Sequence, residues 1–304
     1  MKPLEIISAL PQWTKATPGE IVDSPAFAMP CRLGDENATL RHAEVLPAES
    51  ETLALAVAFG DEPHAISLAR SPRFPELDRI WDSRADVPDA ILLALVEREC
   101  GPLFQMLENA VRKQLRLVGL GKGGIEAPSA FLALCVSASL READSADGIV
   151  FTLSRSDTVV SAFGALRNLD LAHESVRSLV LPASGEYAAF AMSAADLSVL
   201  EPGDALLLPE IGEASPRLVV DGRFVIDESG VVPLPTDALV RVRDAEARTI
   251  TLGEVFDAAE TSAAPGAVSA GAPLCLVRGD RPFAQGRLDR LGDQNVFVVE
   301  ENVK

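Results

Sequence analysis

Metal ligands, aromatic rings and basic charge are all scarce in this chain, and each scarcity removes a class of function. The 304 residues hold three histidines, His42, His64 and His173, with no metal-ligand spacing among themselves or to any cysteine. A zinc site would need ligands converging from distant segments, so solvated or locally hydrogen-bonded histidine is the expectation. The four cysteines, Cys31, Cys100, Cys135 and Cys275, stand far apart and form no Cys-x-x-Cys pair. That excludes the disulfide-rich secreted class and points to a reducing cytoplasm. Lys and Arg number 27 against 45 Asp and Glu, for a net charge of −18 and a pI of about 4.6. Such a chain repels phosphate backbones and anionic lipid surfaces, so neither nucleic acid nor membrane is expected as the main partner. A basic partner protein fits the charge. Long apolar runs are missing too. The longest, Ala130 to Val136, is far short of the roughly 20 residues a membrane-spanning helix needs. The segment Met1-Lys-Pro-Leu-Glu-Ile-Ile-Ser-Ala-Leu-Pro carries an acid and two prolines where a signal peptide has an unbroken apolar core.

Signatures of catalysis are equally thin. No Gly-x-Ser-x-Gly elbow occurs, so the common nucleophilic-serine motif is absent. Gly119-Leu-Gly121-Lys-Gly-Gly124 matches Gly-x-Gly-x-x-Gly by letter. A phosphate cradle of that kind needs a strand before it and a helix opening directly after it. Here a helical pattern ends only a few residues earlier, and Ile125-Glu-Ala-Pro128 follows, so a connecting loop is expected. Cys135 lies inside an apolar run and reads as a small core residue. The acidic clusters Glu142 to Asp147 and Glu300-Glu301 lack calcium-loop spacing and read as solvated loop and tail. No catalytic residue, metal ligand or cofactor is expected.

About half the residues are apolar, enough for two or three folded domains in a chain of this length. Residues 1–50 are rich in Pro, Ala and Glu with little periodicity, and predict loose structure with at most one short helix. Leu53, Leu55, Val57 and Phe59 alternate, a turn follows at Gly60 to Pro63, and Ile66 and Leu68 continue, which predicts a hairpin over 52–69. Asp86-Val-Pro88-Asp starts a helix carrying Leu92, Leu95 and Val96. Gly101-Pro102 interrupts it, and Leu103, Leu107, Ala110 and Val111 resume the stripe, so two helices or one kinked helix is expected. Strands are predicted at Leu115 to Leu120, Phe131 to Val136, Ile149 to Leu153, Val176 to Leu181 and Tyr187 to Met192, with a helix over Val159 to Leu169. The fold class is therefore α+β. A mixed α/β domain spans 1–190, a first small β unit 193–247, and a linker with a second unit 248–304.

The most informative feature is that β unit, which occurs twice in tandem. Leu218-Val-Val-Asp-Gly-Arg-Phe224 and Leu276-Val-Arg-Gly-Asp-Arg-Pro-Phe283 each join two apolar stretches through an Asp/Gly turn. Each is followed by another β-rich run, Ala238 to Val242 and Val296 to Val299. Asp221-Gly222 is the dipeptide favoured in two-residue hairpin turns, where both positions need positive φ. Thr249 to Phe256 reads as a strand leading into a short helix, and Asp257 to Pro273 as a flexible linker. Two half-sheets with Leu and Val on one face cannot bury that face alone, and they leave edges to be paired. At about 1.5–3 kcal/mol per buried large apolar side chain, Leu218, Val220, Phe224, Leu274, Leu276, Phe283 and Leu288 would drive a tight interface before entropy is subtracted. Leu206, Gly222, Gly286, Val296 and Val298 complete the candidate protein-interface set.

The repeats resemble a known family. Leu200-x-x-Gly-Asp-x-Leu-x-Leu208 with Leu218-x-Val220-x-Gly222, and Gly279-Asp-Arg-Pro-Phe-Ala284-x-Gly286-x-Leu288 ending in Val296-Phe-Val-Val299, are similar to the surface-presentation-of-antigens (SPOA) domain. Tandem copies behind a less distinctive N-terminal half resemble the cytoplasmic ring, or sorting-platform, component of type III secretion systems. The flagellar motor switch proteins are relatives. The resemblance implies SPOA units interlocked as intertwined β dimers, within the chain or between chains, in a homo- or hetero-oligomer. It also implies a cytoplasmic position peripheral to the inner-membrane secretion machinery. The implied partners are the ATPase's stator or regulator, a ring adaptor, chaperone–cargo complexes and a short C-terminal product of the same gene. A product holding the second copy alone would need a non-Met start codon; Met192, the last methionine, is either a start for a product holding both copies or simply a strand residue. Arg287 stands where the family usually has Glu, and Phe297 where it has Arg. The alternatives are a flagellar switch protein of the same superfamily and a nucleotide-binding enzyme using Gly119 to Gly124.

Overall fold

A computed structural model describes residues 1–43, 51–121, 131–137, 148–209, 217–227, 229–235, 239–261, 273–279 and 281–303. The chain divides into two compact units, and the division is not linear in sequence. One unit is Leu10–Asp170; the other combines Met1–Ala9 with Leu171–Lys304. The sequence reading put a boundary near residue 190. The contacts instead place it at 170/171, and they assign the first helix, α1 (Pro3–Ala9), to the C-terminal unit, with Ile6 and Ile7 fully buried.

The Leu10–Asp170 unit opens with α2 (Pro11–Thr14) and α3 (Pro18–Val22). Each carries Pro in its first turn, where a missing N–H costs nothing. Thr17 and Glu20 close a reciprocal capping box on α3. A hairpin follows, β1 (Ala28–Leu33) and β2 (Glu36–His42), turning through Gly34 at φ +62°. These elements correct the expectation of a loosely structured start. The signals were short, Pro-led first turns and a Gly-Asp turn, rather than long periodicity.

Strands β3 (Thr52–Phe59) and β4 (Glu62–Ala69) form the expected hairpin. After α4 (Pro75–Ile80) come α5 (Asp89–Glu99) and α6 (Gly101–Val111), two helices meeting at Cys100. Leu92, Val96, Leu103 and Leu107 are buried in one core with Leu55, Val57, Phe59, Ile66, Leu134 and Phe151. Strands β5 (Leu115–Leu120), β6 (Phe131–Ser137) and β7 (Ile149–Ser154) complete an antiparallel sheet in the order β1-β2-β6-β7-β4-β3-β5. The segment predicted as one helix over Val159 to Leu169 is α7 (Asp157–Phe163), capped by Ser156, then a single 3₁₀ turn at Leu166–Asn168. Gly164 ends the helix, and a Cβ there would overlap Pro18.

The C-terminal unit begins with α8 (Glu174–Arg177), N-capped by the His173 side chain. Val176 is thus helical and not part of a strand as predicted. The two strands expected at 176–181 and 187–192 are instead one, β8 (Val180–Phe190). Then come α9 (Ala194–Ser198), β9 (Ala205–Leu207), β10 (Arg217–Val220), β11 (Phe224–Asp227), β12 (Gly230–Pro233), β13 (Val240–Asp244) and β14 (Arg248–Thr251). Helix α10 (Leu252–Thr261) follows, opened by a reciprocal bond pair between Thr251 and Glu254. It takes in the first part of the predicted linker; 262–272 lie outside the described residues. The unit ends with β15 (Leu274–Arg278), β16 (Arg281–Leu291) and β17 (Gln294–Asn302). The strand order is β12-β11-β10-β8-β13-β15-β16-β17-β9, with β14 also on β8. Every pairing is antiparallel. The molecule is thus α+β, with two antiparallel sheets among the described residues.

Candidate functional site

Both repeat hairpins form. β10 and β11 meet with Val220 opposite Phe224, and the loop Asp221-Gly222-Arg223 holds Asp221 at φ +51° and Gly222 at +61°. Asp221-Gly222 supplies the positive φ values as expected, but the loop has three residues, not two. In the second copy, β15 and β16 turn through Gly279 at φ +61°, with Arg278 opposite Arg281.

The two copies are interleaved in one sheet. The lead of copy one, β9, lies on the last strand of copy two, β17, with Leu206 opposite Phe297. The Gly203 amide donates to the Val299 carbonyl at 2.8 Å, the Val299 amide to Asp204 at 2.9 Å, and the Leu208 amide to Asn295 at 3.0 Å. The last strand of copy one, β13, pairs with the first of copy two, β15, Val242 opposite Leu276. Leu200, Leu208, Val240, Val242, Leu274, Leu276, Phe297 and Val299 accordingly share one core.

That geometry decides what each candidate interface residue touches. Leu218, Val220 and Phe224 are buried on β10 and β11, and Leu274, Leu276 and Val296 are buried on β15 and β17. Leu206 and Phe283 are half-buried against the shared core. Val298 is half-buried on β17, Gly222 is exposed in its turn, and Leu288 is 37% exposed. Gly286 is buried where a Cβ would overlap the Val298 carbonyl oxygen, so only glycine fits between β16 and β17. The buried members of the set therefore face their own chain. The large apolar side chains left to solvent in this unit include Leu207 and Leu291, at 58% and 66% exposed; neither was singled out from sequence.

Sequence reasoning also missed the strongest charge cluster. Arg217 on β10, Glu186 on β8 and Arg243 on β13 occupy one lateral row. The Glu186 carboxylate is 1% exposed. Its Oε1 accepts from Arg217 Nη2 at 2.5 Å and Arg241 Nη1 at 3.1 Å. Its Oε2 accepts from Arg241 Nη1 at 3.0 Å and from Arg243 Nε and Nη2, each at 3.2 Å. A bulge in β8 beside Arg243 aims these groups together. Asp244 holds that bulge, accepting from the Gly185 amide at 2.7 Å and the Tyr187 hydroxyl at 2.9 Å. Burial, then Asp244, pushes the Tyr187 phenol well above its ordinary range. The sequence signal, alternate arginines in Val-Arg241-Val-Arg243, was legible only as a strand.

Compared with known proteins, the chain matches no family model and no curated protein. Its functional reading therefore rests on its own residues.

The other candidate chemistry is dispersed. Gly119 is a strand residue opposite Ala56, and the Gly121 amide donates to Ala54 at 2.8 Å. Gly119 and Gly121 extend a sheet edge; the rest of the motif, 122–124, the segment after it and the acidic cluster 142–147 lie outside the described residues. Burial pushes the thiols up, Cys31 to about 11 and Cys100 to about 12, and Cys135 and Cys275 are raised by the same cause. Thiols so disfavoured as thiolates make poor nucleophiles. Among the described residues no group of His, Cys, Asp and Glu is placed to hold a metal, and no helix is long and apolar enough to cross a membrane. Against the sequence expectation, His64 is neither solvated nor bonded to a sequence neighbour through Nδ1. It is buried, with Nδ1 3.0 Å from Ser154 Oγ and Nε2 3.5 Å from Glu62 Oε1. Ser154 is itself 2% exposed and accepts the Ala65 amide, which makes it a core partner for the imidazole.

Proposed function

We propose that this chain is a non-enzymatic scaffold in the cytoplasmic ring, or sorting platform, of a type III protein secretion apparatus. In that role it binds the ATPase's stator component and export cargo. The observation that carries the reading is the interleaving of the tandem β units. β9 of the first copy closes on β17 of the second, and β13 of the first on β15 of the second. Such exchange makes the pair one module, as the SPOA resemblance implies, with apolar side chains of β13, β15 and β17 used inside it. Among the module's exposed apolar residues, Leu207 on β9 and Leu291 at the β16–β17 turn are the points at which further subunits would add. Under this reading the chain acts in a homo- or hetero-oligomer on the cytoplasmic side of the inner membrane, alongside a ring adaptor, chaperone–cargo complexes and any short C-terminal product of its own gene.

The test is deletion of the gene in its native host, with complementation by Leu207→Asp and Leu291→Asp chains. Loss of protein export, restored by the native chain and not by the double variant, is expected. Affinity purification of the native chain should recover the export ATPase's regulator, and intact-mass analysis would reveal a short internal product. Loss of motility with intact export would assign the chain to the flagellar relatives. Unaffected export and motility, or clear nucleotide binding by calorimetry that Gly121→Val abolishes, would overturn the scaffold.

A further inference from the structure

We propose that Arg217 and Arg243 form a docking point for a carboxylate of a partner polypeptide, so that an acidic peptide segment is recognised on the β10–β8–β13 face. The proposal is independent of the secretion reading and survives its failure. It starts from charge. Three guanidinium groups converge on one carboxylate, Glu186, and two of them, Arg217 and Arg243, share its single negative charge. Arg241 is 5% exposed and also donates to the Pro235 carbonyl at 3.2 Å. Arg217 and Arg243 differ from it. Glu186 is the only carboxylate within ion-pair distance of either among the described residues. Asp244, the next acid along β13, spends its oxygens on Gly185 and Tyr187.

The positive excess is accessible and held in place. Arg217 engages Glu186 through Nη2 alone, and its side chain is 41% exposed, so Nε and Nη1 take no part in that bond. Arg243, 11% exposed, keeps Nη1 beyond its two bonds to Glu186. A guanidinium presents a planar fork that matches a carboxylate in bidentate geometry. Glu186 already pins both forks in one lateral row of the sheet, so little side-chain freedom remains to be lost on binding. The remaining surface decides the occupant. A chain of net charge −18 repels a polyphosphate or nucleic acid over the long footprint such ligands need. A short segment offering one or two carboxylates senses the cationic point first, because screening confines the rest to about 8 Å at physiological salt.

The experiment is fluorescence anisotropy of a labelled glycine–serine peptide carrying two adjacent glutamates against the full chain at about 0.15 M salt, with inorganic phosphate as competitor. Arg217→Glu should weaken binding by roughly tenfold or more, the effect of losing a charge-assisted contact. Arg290→Glu, an equal charge change on exposed β16, should leave binding within about twofold. Arg217→Gln gives the same reading if Arg217→Glu does not fold, and near-ultraviolet circular dichroism checks each variant. Peptide binding that is indifferent to Arg217, or equally weakened by Arg290→Glu, would overturn the site. Phosphate binding lost on Arg217→Glu in the absence of any peptide binding would overturn the carboxylate assignment.

Discussion

At residue scale, Gly286 shows how one missing side chain sets the approach of two strands. A Cβ there would overlap the Val298 carbonyl oxygen and press on the Phe297 ring. Gly286→Ala must push β16 from β17, and is expected to cost about 3 kcal/mol, at the upper end for overpacking; denaturant unfolding measures it. His64 gives a pH prediction. Burial lowers its pKa from 6.5; the nearby Glu62 carboxylate works against that shift and Lys113 works with it. The Phe59 ring and Ser154 form its other walls. The unfolded chain therefore takes up the proton first. Stability is full above about pH 6.5 and falls as pH drops through the lower folded value. His64→Gln should flatten that part of the stability–pH curve between neutrality and the carboxylate range. A native and a variant curve running parallel would mean that His64 contributes nothing to it.

At element scale, β9 is three residues long and could not persist alone. It exists because Gly203, at φ +99°, turns the chain so that its amide and the Asp204 carbonyl meet Val299. Gly203→Val is strained in that backbone region and should release β9. Amide exchange at Val299 is expected to rise, while the β10–β11 hairpin keeps its protection. Elements were legible wherever a local rule sufficed. The Asp221-Gly222 and Gly60-Asp61 turns, the Gly101-Pro102 break between α5 and α6, and the strand-to-helix step at Thr251 all rest on φ preferences and caps. They failed where burial overrode pattern. The short N-terminal helices have too few turns to show a period, and β8 is interrupted in sequence by Gly185 and a bulge that mask its continuity.

At the scale of the whole molecule, the chain leaves one unit and returns to it. Met1–Ala9 belongs with Leu171–Lys304, and α1 contributes Ile6 and Ile7, both fully buried. Arg223 Nη1 fixes the end of that helix by donating to the Ala9 carbonyl at 2.9 Å. Ile6→Ala is expected to cost about 2–5 kcal/mol. Hydrogen exchange should locate the loosening in 171–303, leaving the amides of Leu10–Asp170 unchanged; loosening confined to 10–170 would contradict the division. The candidate interface changed meaning at the same scale. Of the residues whose apolarity announced an interface, Leu206, Leu274, Leu276 and Val296 meet the other copy in the same chain, whereas Leu218, Val220 and Phe224 are buried where β10 and β11 run beside β8 and β12.

Composition and local pattern by themselves determined the α+β class, the duplicated β unit with its two hairpins, and the helix pair carrying Leu92 to Val111. Each follows from side-chain period, turn φ and proline chemistry acting within a few residues. Tertiary structure alone decided that β9 crosses to β17, that the first helix serves the distant C-terminal unit, and that Arg217, Arg241 and Arg243 converge on Glu186. Those outcomes depend on strand order and burial between segments far apart in sequence, where each apolar or charged residue has many possible partners and only packing selects one.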